Sequence, residues 1–234
     1  MSITAVLLDA GGVLLFPQPD VLLPQLRAAG VEPDLDVLER AHYRAMSLMD
    51  VPDAPEPTAE TWWQGYLVDF IAECGVDRAS VGLLAAQMAR SIPDFGWTHV
   101  GPQVWDGLRA ITGLGVKTGI VSNSDGSVEG ELRRLGVCWA GDGSDAGTEV
   151  GVVIDSAVVG VAKPDPRIFA FALDALGVRP GKDVLHVGDS LRYDVMGAIA
   201  AGLRPVHLDP YGFCPEPDGH EHVSSLLDVA ALAG

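Results

Sequence analysis

Short runs of β-branched and other apolar residues recur at Thr4 to Leu8, Val116 to Val121, Val152 to Ile154, Val184 to Val187 and Pro205 to Leu208, each bounded by Gly, Pro, Asp or Ser. Helix-length patterns lie between the later runs, at Ser127 to Leu135, Pro166 to Leu176 and Leu191 to Ala201. A near-continuous apolar run is what a strand covered on both faces requires. Alternation of such strands with helices predicts an α/β fold built on a doubly wound, Rossmann-like parallel sheet. Ligands of such a sheet sit at the C-terminal ends of its strands.

Residues 17–98 break this rhythm. Helix-like stretches at Asp20 to Ala29, Leu35 to Met49, Ala59 to Glu73 and Arg78 to Ser91 are separated by Pro-rich joints such as Val51-Pro52-Asp53-Ala54-Pro55-Glu56-Pro57. No strand-like alternation intervenes, so the pattern predicts an all-helical insert at 17–98, with 1–16 and 99–234 forming the core. The Gly141 to Thr148 stretch is small, polar and glycine-rich, which predicts a flexible surface loop.

Composition narrows the partners. Thirty-two acidic residues against 15 Lys plus Arg leave a net charge of −17, and only Lys117, Lys163 and Lys182 are lysines. Such a surface repels nucleic-acid backbones and anionic lipids, so neither nucleic acid nor membrane is the expected partner and a small molecule is. Hydrophobic residues at 48% suffice for a sizeable core. Cys74, Cys138 and Cys214 are odd in number and lack CxxC spacing, which fits a reducing cytoplasm better than a disulfide framework or a thiolate zinc site. The apolar stretch from Met1 to Phe16 has no basic leader and carries Asp9, which argues against a signal peptide.

Four segments carry candidate chemistry. The first run ends in Leu7-Leu8-Asp9-Ala10-Gly11-Gly12, placing a carboxylate at a strand end before a pliable turn. Alone, it reads as an aspartate capping that turn. The second ends in Ile120-Val121-Ser122-Asn123-Ser124, offering a hydroxyl and backbone amides to an anion, or simply a helix cap. Lys163, in Ala162-Lys163-Pro164-Asp165-Pro166, supplies a point charge and in isolation reads as a solvated lysine. Val184 to Val187 delivers Gly188 and Asp189, and Asp194 follows five residues later. Converging carboxylates are unfavourable without a cation, and an all-oxygen donor set favours Mg²⁺.

Taken together, the four segments resemble the haloacid dehalogenase-like (HAD) hydrolase superfamily. Asp9, Ser122, Lys163, Asp189 and Asp194 occur in that family's order at separations of 113, 41, 26 and 5 residues. The resemblance spans the core, and an insert directly after the first motif matches the family's cap domain. It implies a nucleophilic Asp9 forming a covalent aspartyl intermediate, and Ser122, Asn123 and Lys163 around the transferring group. Mg²⁺ would be held by Asp9, the Gly11 backbone carbonyl, Asp189 and Asp194. The implied function is a Mg²⁺-dependent phosphatase or phosphotransfer enzyme acting on a small phosphomonoester.

Gly11 departs from that pattern. The family's phosphatases carry a second aspartate two residues after the nucleophile, which protonates the leaving group and then activates water. Its loss removes a contribution on the order of 10²–10⁴-fold. The 2-haloacid dehalogenases also lack this aspartate and use a cap arginine, for which Arg40 is the candidate; they do not depend on Mg²⁺ and lack the Gly188-Asp189 pair. Phosphonoacetaldehyde hydrolases use a cap lysine, and residues 1–116 contain none. A catalytically weak protein that binds phosphate and Mg²⁺ in a regulatory role is the remaining alternative. His42 and His99 are candidate replacement acids, each more simply read as a surface or hinge histidine. His186 and His207 read as packing residues. His220-Glu221-His222 reads as a solvated turn with no third ligand nearby in sequence. Trp62, Trp63, Tyr66 and Phe70 read as core; the adjacent pair Trp62 and Trp63 cannot share one helix face, which leaves one of them for a crevice or a partner.

Overall fold

The computed structural model describes residues 2–50, 58–91, 96–101, 103–141, 146–215 and 219–234. Its elements run β1 (Ala5–Leu8), β2 (Phe16–Pro17), α1 (Pro19–Ala28), α2 (Leu35–Met49), α3 (Ala59–Glu73), α4 (Arg78–Ser91) and β3 (Trp97–His99). They continue as α5 (Val104–Gly113), β4 (Lys117–Ser122), α6 (Val128–Arg134), β5 (Cys138–Ala140), β6 (Thr148–Val150), β7 (Val152–Asp155) and α7 (Ser156–Val159). The remainder comprises α8 (Arg167–Leu176), β8 (Val184–Gly188), a π-helical turn (Leu191–Met196), α9 (Gly197–Ala200), β9 (Arg204–Leu208), β10 (Glu221–Val223) and α10 (Leu226–Ala233).

The chain divides into two compact units, one of residues 1–15, 100–210 and 216–234, the other of 16–99 and 211–215. The first is built on a six-stranded sheet in the order β10-β9-β8-β1-β4-β7, with all five pairings parallel. The strands grow outward from β1, first through β4 to β7 and then, on the other side, through β8 and β9 to β10. The order reverses between β1 and β8, where a doubly wound sheet opens its ligand crevice.

All four residues of β1 are fully buried, so both faces of the central strand are covered. Ala5 and Leu7 join Val121, Ile154 and Val184 in a cluster completed by Ile168, Phe169, Ala172, Leu173 and Leu176 from α8. Those five α8 residues recur at helical spacing and form the apolar stripe that lies on the sheet. Apart from Ala172, each contributes on the order of 1.5–3 kcal/mol by leaving water. The helix then stops at Gly177, whose φ of 62° is the left-handed conformation that glycine adopts without strain.

In the second unit, Leu22 and Leu26 of α1, Leu38, Ala41 and Ala45 of α2, Tyr66 and Phe70 of α3 and Met88 of α4 share one core. Asp34 caps α2 by accepting the Val37 N–H at 2.9 Å, and Thr58 caps α3. The helices match the stretches read from sequence closely, with α1 shifted by one residue at each end. A short antiparallel ribbon of β2 and β3, with Phe16 opposite His99, adds to the helices. The 211–215 segment belongs here because the Phe213 ring lies under the guanidinium groups of Arg40 and Arg44, at 5.3 and 5.2 Å.

Trp62 and Trp63 both flank Tyr66, each with ring centroids 5.5 Å away and planes within 6°. Positions i and i+1 thus meet one ring at i+4, which corrects the expectation that the two cannot share one helix face. Of the Gly141 to Thr148 stretch, 142–145 lie outside the described residues, as does the joint at 51–57, and Thr148 opens β6. Among the described residues no helix is long and apolar enough to cross a membrane.

Candidate active site

The register of the sheet brings three motifs to one edge. Leu8 of β1 pairs with Val187 of β8 and with Ile120 of β4, so Asp9, Gly188 and Val121 follow at the same level. The Asp9 N–H donates to the Val187 carbonyl at 2.9 Å, continuing the ladder past the strand end. One oxygen from each of Asp9, Asp189 and Asp194 lies within 4.8 Å of the others.

Lys163 enters from the loop between α7 and α8. Its ammonium donates to Asp9 Oδ2 at 2.9 Å and to Asp194 Oδ1 at 2.7 Å, and the residue is 2% exposed. Asn123 fixes the lysine's main chain: its Nδ2 donates to the Lys163 carbonyl at 3.0 Å, and its Oδ1 accepts the Lys163 N–H at 2.7 Å. Both ends of the Asn123 amide are therefore engaged. Its side chain positions the Lys163 main chain at the strand edge. Ser122, the last residue of β4, is buried at the same edge.

Asp194 sits in the π-helical turn that follows Ser190. Its Oδ1 accepts from Lys163 and from His186 Nε2 at 2.8 Å, and its Oδ2 accepts the Ser190 N–H at 3.2 Å. Gly188 makes this possible, since a Cβ there would lie 2.0 Å from the Asp194 Cγ. His186, read from sequence as packing, is a polar member of the site; its strand position gave no sign of Asp194 eight residues on.

Burial pushes the Asp9 carboxyl up to about 7; Lys163 opposes this, and the Asp194 and Asp189 charges add to it. Burial acts on Asp194 in the same sense, but Lys163 and the His186 hydrogen bond outweigh it and hold that carboxyl well below the usual range. Lys163 is held above its ordinary value, its two carboxylate partners overcoming burial. Three buried carboxyl groups share one ammonium, so ionisation of Asp9 leaves an excess of negative charge in a buried site. The donor set is all oxygen, so the residues fit a hard divalent cation.

Other sequence candidates lie in the second unit. Arg40 pairs with Glu73 at 3.0 Å as well as stacking on Phe213. His42 is buried, with Nδ1 sharing a hydrogen with the Tyr66 hydroxyl at 3.0 Å and its ring edge-on to Phe16 and Trp97. Burial lowers His99. Gly11 forms a bridge with Leu15 within the turn after β1, where Gly12 takes a φ of 69°.

A model of the haloacid dehalogenase-like hydrolases matches residues 3–202. The chain belongs to that family. It is a hydrolase. It is 34% identical over 154 residues to haloacid dehalogenase-like hydrolase domain-containing protein 3 of Danio rerio, covering 62% of this chain and 57% of that protein's length. Shorter stretches match phosphatases. The N-acylneuraminate-9-phosphatase of Homo sapiens is 41% identical over 86 residues, 33% of this chain and 34% of that protein. The phosphoserine phosphatase of Thermus thermophilus is 48% identical over 65 residues, 28% and 25% of the two chains. Among solved structures, the putative HAD-hydrolase YfnB of Bacillus subtilis bound to magnesium shares the fold with a TM-score of 0.63 at 17% identity over the whole of both chains. A 2-haloacid dehalogenase from Pseudomonas syringae pv. Tomato DC3000 has a TM-score of 0.57 at 20% identity, covering 98% and 97%.

Proposed function

We propose that this hydrolase cleaves small phosphomonoesters, or transfers their phosphoryl group, through a covalent aspartyl-phosphate on Asp9 in a Mg²⁺-dependent reaction. The observation that carries the reading is the buried Lys163 ammonium between Asp9 and Asp194, with the Asp189 carboxylate beside them. The phosphatase names of two relatives support it. Asp189 also weighs against the dehalogenase alternative, as does Arg40, whose charge is already engaged by Glu73. We assign the 16–99 unit the role of the family's cap.

An Asp9 carboxylate oxygen attacks phosphorus and the bond to the leaving oxygen breaks. Lys163 offsets charge on the phosphoryl oxygens, and the Ser122 hydroxyl donates to one of them. Asp9, Asp189 and the Gly11 carbonyl would hold Mg²⁺, with Asp194 behind them; when bound, the ion neutralises the transferring group. Water then attacks phosphorus, releasing inorganic phosphate and restoring Asp9. Gly11 supplies no acid for the leaving oxygen, so the leaving group's own basicity governs the rate.

Hydrolysis of a series of phosphate esters with Mg²⁺ tests this reading. Aryl and acyl phosphates should react far faster than alkyl phosphates, and Gly11→Asp should raise the alkyl rate by up to roughly 10²–10⁴-fold. Equal rates across the series would reveal a replacement acid. No response to Gly11→Asp, together with halide release from 2-haloacids, would replace this reading by the dehalogenase one.

A further inference from the structure

At the outer edge of the sheet, three histidines come together from parts of the chain that show no common motif. β9 and β10 pair in parallel with His207 opposite His222, so their side chains emerge on the same face. His220 immediately precedes β10. The His207 ring centroid lies 5.4 Å from that of His220 and 5.3 Å from that of His222, and the latter two are 4.5 Å apart. One ring nitrogen of each lies within 4.8 Å of the others.

From this geometry we infer a second cation site, in which His207, His220 and His222 bind a borderline divalent transition ion of the Zn²⁺ class. Three features carry the inference. His207 Nε2 stands 3.1 Å from the Asp189 main-chain carbonyl. A carbonyl only accepts, so Nε2 carries the proton and Nδ1 turns a lone pair toward the cluster. Ligand histidines are held in this way, by a second hydrogen bond that sets tautomer and ring orientation. Next, His207 Nδ1 and His220 Nε2 are 3.3 Å apart. Two nitrogens at about 2.0–2.1 Å from one tetrahedral ion stand roughly 3.3–3.4 Å from each other, so little movement is needed to admit the ion. Finally, the rings grade from buried His207 through half-buried His220 to exposed His222, which leaves an entry path for the ion. Asp209 Oδ2 lies 3.6 Å from His222 Nδ1 and supplies an outer carboxylate. Imidazole nitrogen suits Zn²⁺, Co²⁺ or Ni²⁺ and disfavours Mg²⁺, so the site selects a different ion from the carboxylates around Asp9.

Isothermal titration of the chelator-treated full chain with ZnCl₂, and the visible spectrum with CoCl₂, test the inference. The chain should take up one Zn²⁺ at this site, give a tetrahedral Co²⁺ band and melt at higher temperature with Zn²⁺. His220→Ala/His222→Ala, which alters only partly exposed residues, should weaken Zn²⁺ binding by about 100-fold or more and abolish the band. Asp9→Asn should retain both, which separates this site from the proposed phosphatase centre. The inference is overturned if the unmodified chain shows no Zn²⁺ uptake, leaving a hydrogen-bonded histidine cluster only. It is equally overturned if the double variant binds Zn²⁺ as the parent does, or if Mg²⁺ displaces Zn²⁺ at equal concentration.

Discussion

At the ends of β1 and β8 the side chains are carboxylates and one lysine, nearly sealed from water; at the ends of β9 and β10, on the same sheet, they are imidazoles that grade out to solvent. The inner cluster gathers like charges at a cost that Lys163 only partly offsets. The outer cluster gathers imidazole rings, and burial lowers His207 and His220 from their ordinary values. One arrangement calls for a hard cation, the other tolerates none and accepts a softer one. They touch at a single point, since the residue that offers its carboxylate inward, Asp189, offers its main-chain carbonyl outward to His207. The strand edge therefore presents two donor sets of different hardness without mixing them.

The largest expected effect separates the two clusters by chemistry. Asp9→Asn should lower phosphomonoester hydrolysis by about 10³-fold or more while leaving Zn²⁺ binding intact, as steady-state kinetics and titration calorimetry would show. Loss of both together would mean that the clusters are one site. Next in size, Lys163→Met strands the inner carboxylates without their counter-charge. Its unfolding free energy in denaturant should fall by about 3–5 kcal/mol. A change under about 1 kcal/mol would show that the inner site is more hydrated than its burial indicates.

A pH effect follows from Asp9. Because burial raises its carboxyl to about 7, the folded metal-free chain holds a proton between about pH 4 and 7 that the unfolded chain has released. The stability of the metal-free chain should therefore fall as pH rises through that window, with a slope of at most about 1.4 kcal/mol per pH unit. Mg²⁺ should flatten the slope by taking the proton's place. Asp194 works in the opposite sense at lower pH, its depressed carboxyl withdrawing stability as acid protonates it. Melting curves at several pH values, with and without Mg²⁺, check both signs, and a slope unchanged by Mg²⁺ would count against a cation at Asp9. The smallest effect belongs to Asn123→Ala, which releases two hydrogen bonds on the Lys163 main chain and should cost about tenfold in kcat/KM, roughly 1–2 kcal/mol. An unaffected rate would mean that the flanking turns hold Lys163 unaided.

Elements with strong periodicity were legible in the chain. The apolar runs at β1, β4 and β8 and the stripe of α8 stand out because each buries its residues by a local repeat. The same holds for the four helices of the second unit. Weaker elements escaped. β10 is Glu-His-Val, with no apolar run, and becomes a strand only because β9 offers it an edge. α5 carries its apolar residues at Val104, Leu108 and Ile111, a readable spacing that was not among the helices expected. In the site, Asp9, Lys163, Asp189 and Asp194 were legible through order and spacing. The two bonds from Asn123 to the Lys163 main chain were not legible, because nothing local shows that its amide closes on a segment 40 residues away.

By itself, then, the sequence determined the sheet, the four helices that follow its first strand, the acidic and lysine residues that converge at one strand edge, and the glycine at position 11. Each of these is written in local patterns or in residue identity. Only the tertiary structure decided that His186 anchors Asp194, that Arg40 is tied to Glu73, and that His207 supplies the third ring beside His220 and His222. Those pairings join positions 8, 33 and 13–15 residues apart, so contact between them depends on strand register and helix packing, which no single segment encodes.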